Sequence, residues 1–246
     1  MSADERAWSS LPRGLAAGFT VLLAAQMTWH GLRADLPREA FADLPPAPNS
    51  ATLRLAAFGE DAAIARLAML YLQSFDESGT NAIPYQRLDY VRLIEWLGSI
   101  LDTDPRSGYP LFAAARVYAE NPDPAKARLA LEFVYREFLK SPNTRWRWLA
   151  HAALLAKHRL KDLPLARRYA AAIDRYTTDP SVPAWARQME IFILEDMNEL
   201  EAAKIMLGGL LASGRITDPA EAKFLKQRLE QLEARIQGRK RSPAPR

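Results

Sequence analysis

Apolar positions recur along the chain with the offsets i, i+3, i+4 and i+7. The sets are Ile64, Leu67, Ala68, Tyr71; Leu111, Ala114, Ala115, Tyr118; Trp148, His151, Ala152, Leu155; and Ala186, Met189, Glu190, Ile193. Each set falls on one face of an α-helix. Proline stops follow the same rhythm: Asp104-Pro105, Ser141-Pro142 and Asp179-Pro180 stand 37 and 38 residues apart. A helical repeat of this length predicts stacked helix pairs.

The pattern predicts a first pair that ends at Asp104-Pro105, with Leu88–Leu101 as its second helix. The second pair is Tyr109–Ala119 with Ala125–Leu139, the third Arg145–His158 with Leu165–Tyr176, and the fourth Ala184–Asp196 with Leu200–Leu211. Gly79, Asn81 and Pro84 make Asp76–Pro84 a loop. Asp123-Pro124 reads as an N-cap followed by proline at the first helical position, and Asp162 and Pro164 join the helices of the third pair. Asp218, Pro219 and Glu221 open a last charged helix, Pro219–Ile236, suited to cap the array.

The N-terminal pattern is different. Gly14 to Leu32 is a run of 19 residues without a formal charge, bracketed by Arg13 and Arg33, with Trp8 and Trp29 near its ends. Such a helix is about 28 Å long, against a bilayer core of about 30 Å. The expectation is an uncleaved transmembrane anchor over 14–32. A buried soluble helix and a cleaved signal peptide are the alternatives. The latter fits less well, because cleavage after Ala25 puts Leu23 where a small residue is wanted. Flanking arginines tie across the span, so the short N-terminal tail decides the orientation and puts the body outside the cytoplasm. The expected organisation is a tail over 1–13, the anchor over 14–32, a proline-containing linker over 33–52, a helical-repeat domain over 53–237 and a basic tail over 238–246.

Composition narrows the function classes. With 246 residues, 49% of them hydrophobic, the chain can bury a sizeable core. Eleven glycines are few for a turn-rich β protein. Zero cysteines exclude disulfides, thiolate nucleophiles and cysteine metal sites. The net charge of +4 hides blocks. Lys140 to Tyr176 holds nine basic residues against two acidic, and Thr177 to Glu201 one against six. Such blocks seek charged partners or pair with each other inside the molecule.

The body resembles tetratricopeptide repeats, whose first helix carries W-x2-L-G-x2-Y and whose second carries A-x3-F. Ile64-x2-Leu67-Ala68-x2-Tyr71 and Leu111-x2-Ala114-Ala115-x2-Tyr118 match with alanine for glycine, and Trp148-x2-His151-Ala152-x2-Leu155 keeps the tryptophan. Ala127-x3-Leu131, Ala166-x3-Ala170 and Ala202-x3-Met206 are weakened second-helix forms. The period of 37 to 38 exceeds the family's 34, and Glu190 stands at a small-residue position. Anchor, linker and repeats together look like bacterial single-pass inner-membrane proteins with a periplasmic repeat domain. The resemblance implies an all-α helical-hairpin solenoid acting as a scaffold or adaptor for another protein.

Chemistry is sparse. His151 and His158 lie seven apart on one helix, not at the i, i+4 spacing that two zinc ligands prefer. No P-loop, dinucleotide fingerprint or serine elbow is present, and Glu195, Asp196 and Glu199 lack calcium-loop spacing. The reading is therefore a non-enzyme without a cofactor. The most suggestive stretch is Arg145-Trp146-Arg147-Trp148, to which the third pair adds Arg167 and Arg168. Arg145, Trp146, Arg147, Arg167 and Arg168 are the candidate partner-binding residues, for an acidic protein segment before nucleic acid; the plainer reading packs Trp146 on the adjacent helix and leaves the arginines solvated. The alternative is a cytoplasm-facing adaptor whose basic segments bind nucleic acid or anionic lipid.

Overall fold

The computed structural model describes residues 13–33, 44–75, 85–214, 216 and 218–241. The expected loop Asp76–Pro84, half of the expected linker, and both chain ends lie outside the described residues. All secondary structure among the described residues is helical. The chain divides into two compact units, residues 1–42 and 43–246.

The first unit contains α1, Arg13–Arg33. The expected helix is there, but the expected membrane span needs correction. Among the described residues no helix is long and apolar enough to cross a membrane. Absence of charge is not sufficient. Gln26, Thr20, Thr28 and the glycines at 14, 18 and 31 dilute the run. Thr20 and Thr28 turn their hydroxyls onto their own helix, donating to the Ala16 and Ala24 carbonyls at 2.9 and 2.8 Å.

The second unit opens earlier than residue 53. The extended segment Leu44–Asn49 is packed into the body, with Leu44 fully buried. Prolines 45, 46 and 48 keep this segment out of a helix, so its carbonyls stay free to accept. The Arg92 guanidinium donates to the Leu44 carbonyl at 2.7 Å and the Trp96 indole to that of Pro45 at 2.8 Å. The Ser99 hydroxyl donates to the Pro48 carbonyl. Asn49 then caps α2, Ser50–Ala57, by accepting from the Thr52 N–H at 2.8 Å.

Helix pairs follow. They are α3 (Asp61–Gln73) with α4 (Tyr90–Thr103), α5 (Tyr109–Arg116) with α6 (Pro124–Lys140), and α7 (Pro142–His158) with α8 (Leu163–Tyr176). The fourth pair is broken in its first helix, giving α9 (Ala184–Arg187) and α10 (Met189–Asp196) ahead of α11 (Leu200–Ala212). The break falls at Gln188, whose buried amide donates to Glu221 of α12 (Pro219–Arg241). The expected cap at Asp123 is in place, and the joint at Asp162 supplies another. Asp123 accepts from the Ala125 N–H and Asp162 from the Leu165 N–H, both at 2.9 Å.

Helices pack on the next element and, in most pairs, on the one after it: α4 on α5 and α6, α5 on α6 and α7, α7 on α8 and α9. Hydrogen bonds between elements cluster at sequence separations of 33 to 40 positions. Examples are Gln73–Tyr109, Arg128–Asp162, Arg159–Glu120, Asn143–Thr178, Arg145–Pro105 and Arg228–Glu195. That spread brackets the interval between the proline stops.

The buried face differs from the expected one in two units. In α3 it is Ala65, Ala68, Met69 and Leu72; in α7 it is Leu149, Ala152, Ala153 and Ala156. Both sets keep the i, i+3, i+4, i+7 spacing but start one residue later than expected. In α5 the expected set, Leu111, Ala114, Ala115 and Tyr118, is buried as it stands. Burial forms two clusters, a main one from Leu44 to Ile193 and a second made by α10, α11 and α12.

Candidate functional site

The five candidate partner-binding residues do not converge. Arg145 is buried. Its Nη1 lies 2.9 Å from Glu137 Oε2 and donates at 2.9 Å to the Glu137 carbonyl, and its Nη2 donates to the Pro105 carbonyl at 3.2 Å. Arg168 pairs with Glu132 and lies over the rings of Tyr135 and Tyr169. The Tyr169 hydroxyl donates to the same Glu132 oxygen at 3.0 Å. Its burial, with the Glu132 charge, pushes the phenol well above its usual range. Arg167 turns to α10 and meets Glu190 at 2.9 Å. Trp146 is half-buried and meets Trp185 edge-on, ring centres 5.6 Å apart. Arg147 is exposed, with its guanidinium 5.9 Å from the Trp146 ring centre.

Two ion pairs join the charge blocks, and other members of each block pair with carboxylates or guanidiniums outside it. Lys157 pairs with Asp196 and Arg167 with Glu190, which joins the basic block to the acidic one. Glu195, whose side chain is 4% exposed, is held by Arg228 at 2.6 Å and by Arg235 at 3.3 Å. These pairs explain why Glu190 occupies a small-residue position: its carboxylate reaches out of the packing face to a guanidinium.

A different surface gathers side chains from successive first helices. Tyr109 and Phe112 on α5 are 39% and 40% exposed, and their rings stack with centres 6.3 Å apart. Gln73 of α3 donates to the Tyr109 hydroxyl at 2.6 Å. Phe112 meets Trp148 of α7 edge-on at 5.9 Å. The row is continuous from α3 across α5 to α7. Arg116 and His151 extend it. Burial, followed by the charge of Arg116, lowers the His151 pKa, and Glu120 opposes them. The stripe Trp148, His151, Leu155, expected in the core, is thus the half-buried edge that α7 turns towards α5. Sequence reasoning missed this row, although Tyr109, Phe112 and Arg116 share i, i+3, i+7 spacing opposite the buried set.

Asp162 joins the second and third pairs electrostatically as well as capping α8. Its own burial disfavours the charge, but the Leu165 N–H and Arg128 at 2.7 Å outweigh that and hold its pKa low. Among the described residues no three His, Asp or Glu side chains approach closely enough to hold a metal ion. Comparison with protein-family models, with curated proteins and with solved structures gave no match.

Proposed function

We propose that the chain is a tetratricopeptide-like helical-repeat scaffold that recruits a partner protein across the first helices of its pairs. The observation that carries this reading is the row Gln73, Tyr109, Phe112 and Trp148, which three consecutive first helices hold partly open to solvent. Aromatic side chains fixed by their neighbours give large contact area at low entropic cost, which suits binding hot spots. Two further features support the repeat reading: the stacking of each helix on its successors, and cross-element hydrogen bonds near the period of the proline stops. The ion pairs of Arg145, Arg167 and Arg168 weigh against a nucleic-acid surface there, because neutralised guanidiniums release few counterions.

The test is a photo-crosslinking amino acid placed at Phe112 in the full chain, in cells, with exposed Arg136 of α6 as the control position. A discrete crosslinked protein at 112, absent at 136 and lost in the Trp148→Ala variant, is the expected result. Equal crosslinking at both positions refutes the proposal.

Localisation at a membrane of the cell envelope is proposed on α1, whose Leu15, Phe19, Leu22 and Met27 are exposed. Exposed apolar side chains on a helix are stabilised by an apolar phase. Flotation of the full chain with lipid vesicles tests it. Recovery of the chain only in the dense fractions excludes lipid attachment.

A further inference from the structure

The two turns that carry the Asp104-Pro105 and Ser141-Pro142 stops border a cavity of about 600 Å³ between α4, α5, α6 and α7. That volume is within the range of small-ligand pockets. Three cations, Arg106, Lys140 and Arg145, and three hydroxyl residues, Ser107, Ser141 and Thr144, line it. Asp102 is the single carboxylate among the described lining residues.

The cations are held differently. Arg145 is locked by Glu137 and by the Pro105 carbonyl. Lys140 lies between Glu137 at 2.7 Å and Asp102 at 3.3 Å. Arg106 is exposed and has no carboxylate partner among the described residues. Glu137 and Asp102 offset two of the three positive charges, so Arg106 leaves the cavity with an excess of one. Ser107 accepts from the Tyr109 N–H at the start of α5 at 3.3 Å, and the Thr144 hydroxyl lies 3.3 Å from the Ser141 carbonyl. Ser141 opens α7 without a side-chain cap bond, and its hydroxyl lies 2.8 Å from that of Thr144. The remaining wall is apolar and includes Leu101, Leu111 and Trp148. Trp148 is kept in place by Phe112 and lies against Gly108.

We propose that this cavity binds a small organic anion in which a carboxylate or phosphate group adjoins an apolar body. The oxyanion meets Arg106, Lys140 and the Ser141–Thr144 hydroxyls through charge-assisted hydrogen bonds. The apolar body lies against Trp148 and Leu111. An inorganic anion would leave that apolar wall in water, and a neutral ligand would gain nothing from the uncompensated guanidinium.

The experiment uses the full chain with 3-phenylpropionate and phenyl phosphate as probes and 3-phenylpropionamide as the neutral control. Calorimetry gives the affinities. The Trp148 indole N–H resonance, assigned by its absence in Trp148→Phe, reports the location. One or both acids should bind and move that resonance, with the amide weaker by about tenfold or more. The tighter acid identifies the anionic group. Arg106→Glu should weaken the acid by at least about tenfold with an unchanged melting temperature, since Arg106 makes no ion pair to lose. Should Arg106→Glu prove less stable, Arg106→Gln takes its place and should still weaken binding. The proposal is overturned if neither acid moves the Trp148 resonance, if the amide binds as tightly, or if both Arg106 variants bind the acids like the parent chain.

Discussion

Glu137 and Arg145 face each other across the turn at Ser141-Pro142, with Oε2 and Nη1 2.9 Å apart and side chains only 7% and 8% exposed. The last turn of α6 supplies the carboxylate and the first turn of α7 the guanidinium. Because the guanidinium also reaches the Pro105 carbonyl, this pair ties two successive proline stops together. A buried pair is weak evidence of net stabilisation; removing Arg145 leaves Glu137 with Lys140 at 2.7 Å, but takes the guanidinium donor from the Glu137 and Pro105 carbonyls.

Arg145→Ala is therefore expected to destabilise the fold by about 1–3 kcal/mol, with Arg145→Met plus Glu137→Leu recovering most of that loss. Denaturant midpoints of the single and double variants check it. A near-neutral Arg145→Ala would return this residue to the surface.

The register of α7 has its own test. Leu149→Ala should cost about 2–5 kcal/mol, as for a fully buried leucine. Trp148→Ala should cost less in stability, because the indole is half-buried at the α5–α7 edge. Thermal melts showing the reverse order would mean that Trp148, not Leu149, occupies the packing position.

His151 couples stability to pH. Burial and then the Arg116 charge hold its pKa below 6.5 in the folded chain, with Glu120 partly offsetting them. The unfolded chain then binds the proton more readily. Stability from this site is complete above about pH 6.5 and is lost as pH falls through the lowered folded value. His151→Gln should flatten the stability–pH curve in that window. An unchanged slope between about pH 5 and 7 would remove His151 as its source.

Much of this architecture is legible in the sequence. The proline interval, the helix pairs and the cap at Asp123 depend on local geometry, and local geometry is what periodicity reads. The shifted registers are not local. Trp148 and Leu149 are adjacent and both apolar, so spacing alone cannot rank them; the contacts of Trp148 with Phe112 and Gly108 decide. Arg145 likewise reads as a surface cation until Glu137 is brought across the turn. Gly14 to Leu32 reads as a span from its missing charges and its length, although the same sequence shows the uncharged polar and glycine residues that lower its apolarity. The aromatic row joins three helices, and no stretch of one helix displays it.

The C-terminal helix should be separately mobile in exchange experiments. Glu195 holds Arg228 and Arg235, and the apolar residues of α12 belong to the second cluster rather than the main one. Glu195→Gln should speed amide exchange in α12 by about tenfold or more while leaving α4 to α7 protected. Uniform loss of protection across the body would show that the two clusters unfold together.

Bonds that recur at 33 to 40 positions also bear on the order of synthesis. A growing chain need only lengthen by about one helix pair before its newest helices find their partners on the pair just completed. No described element waits for the far end of the polypeptide, so loop closure stays inexpensive at every stage and collapse can keep pace with the ribosome. The Glu195 carboxylate keeps the same timing. It emerges 33 residues before Arg228 and stays without this guanidinium until α12 follows it out.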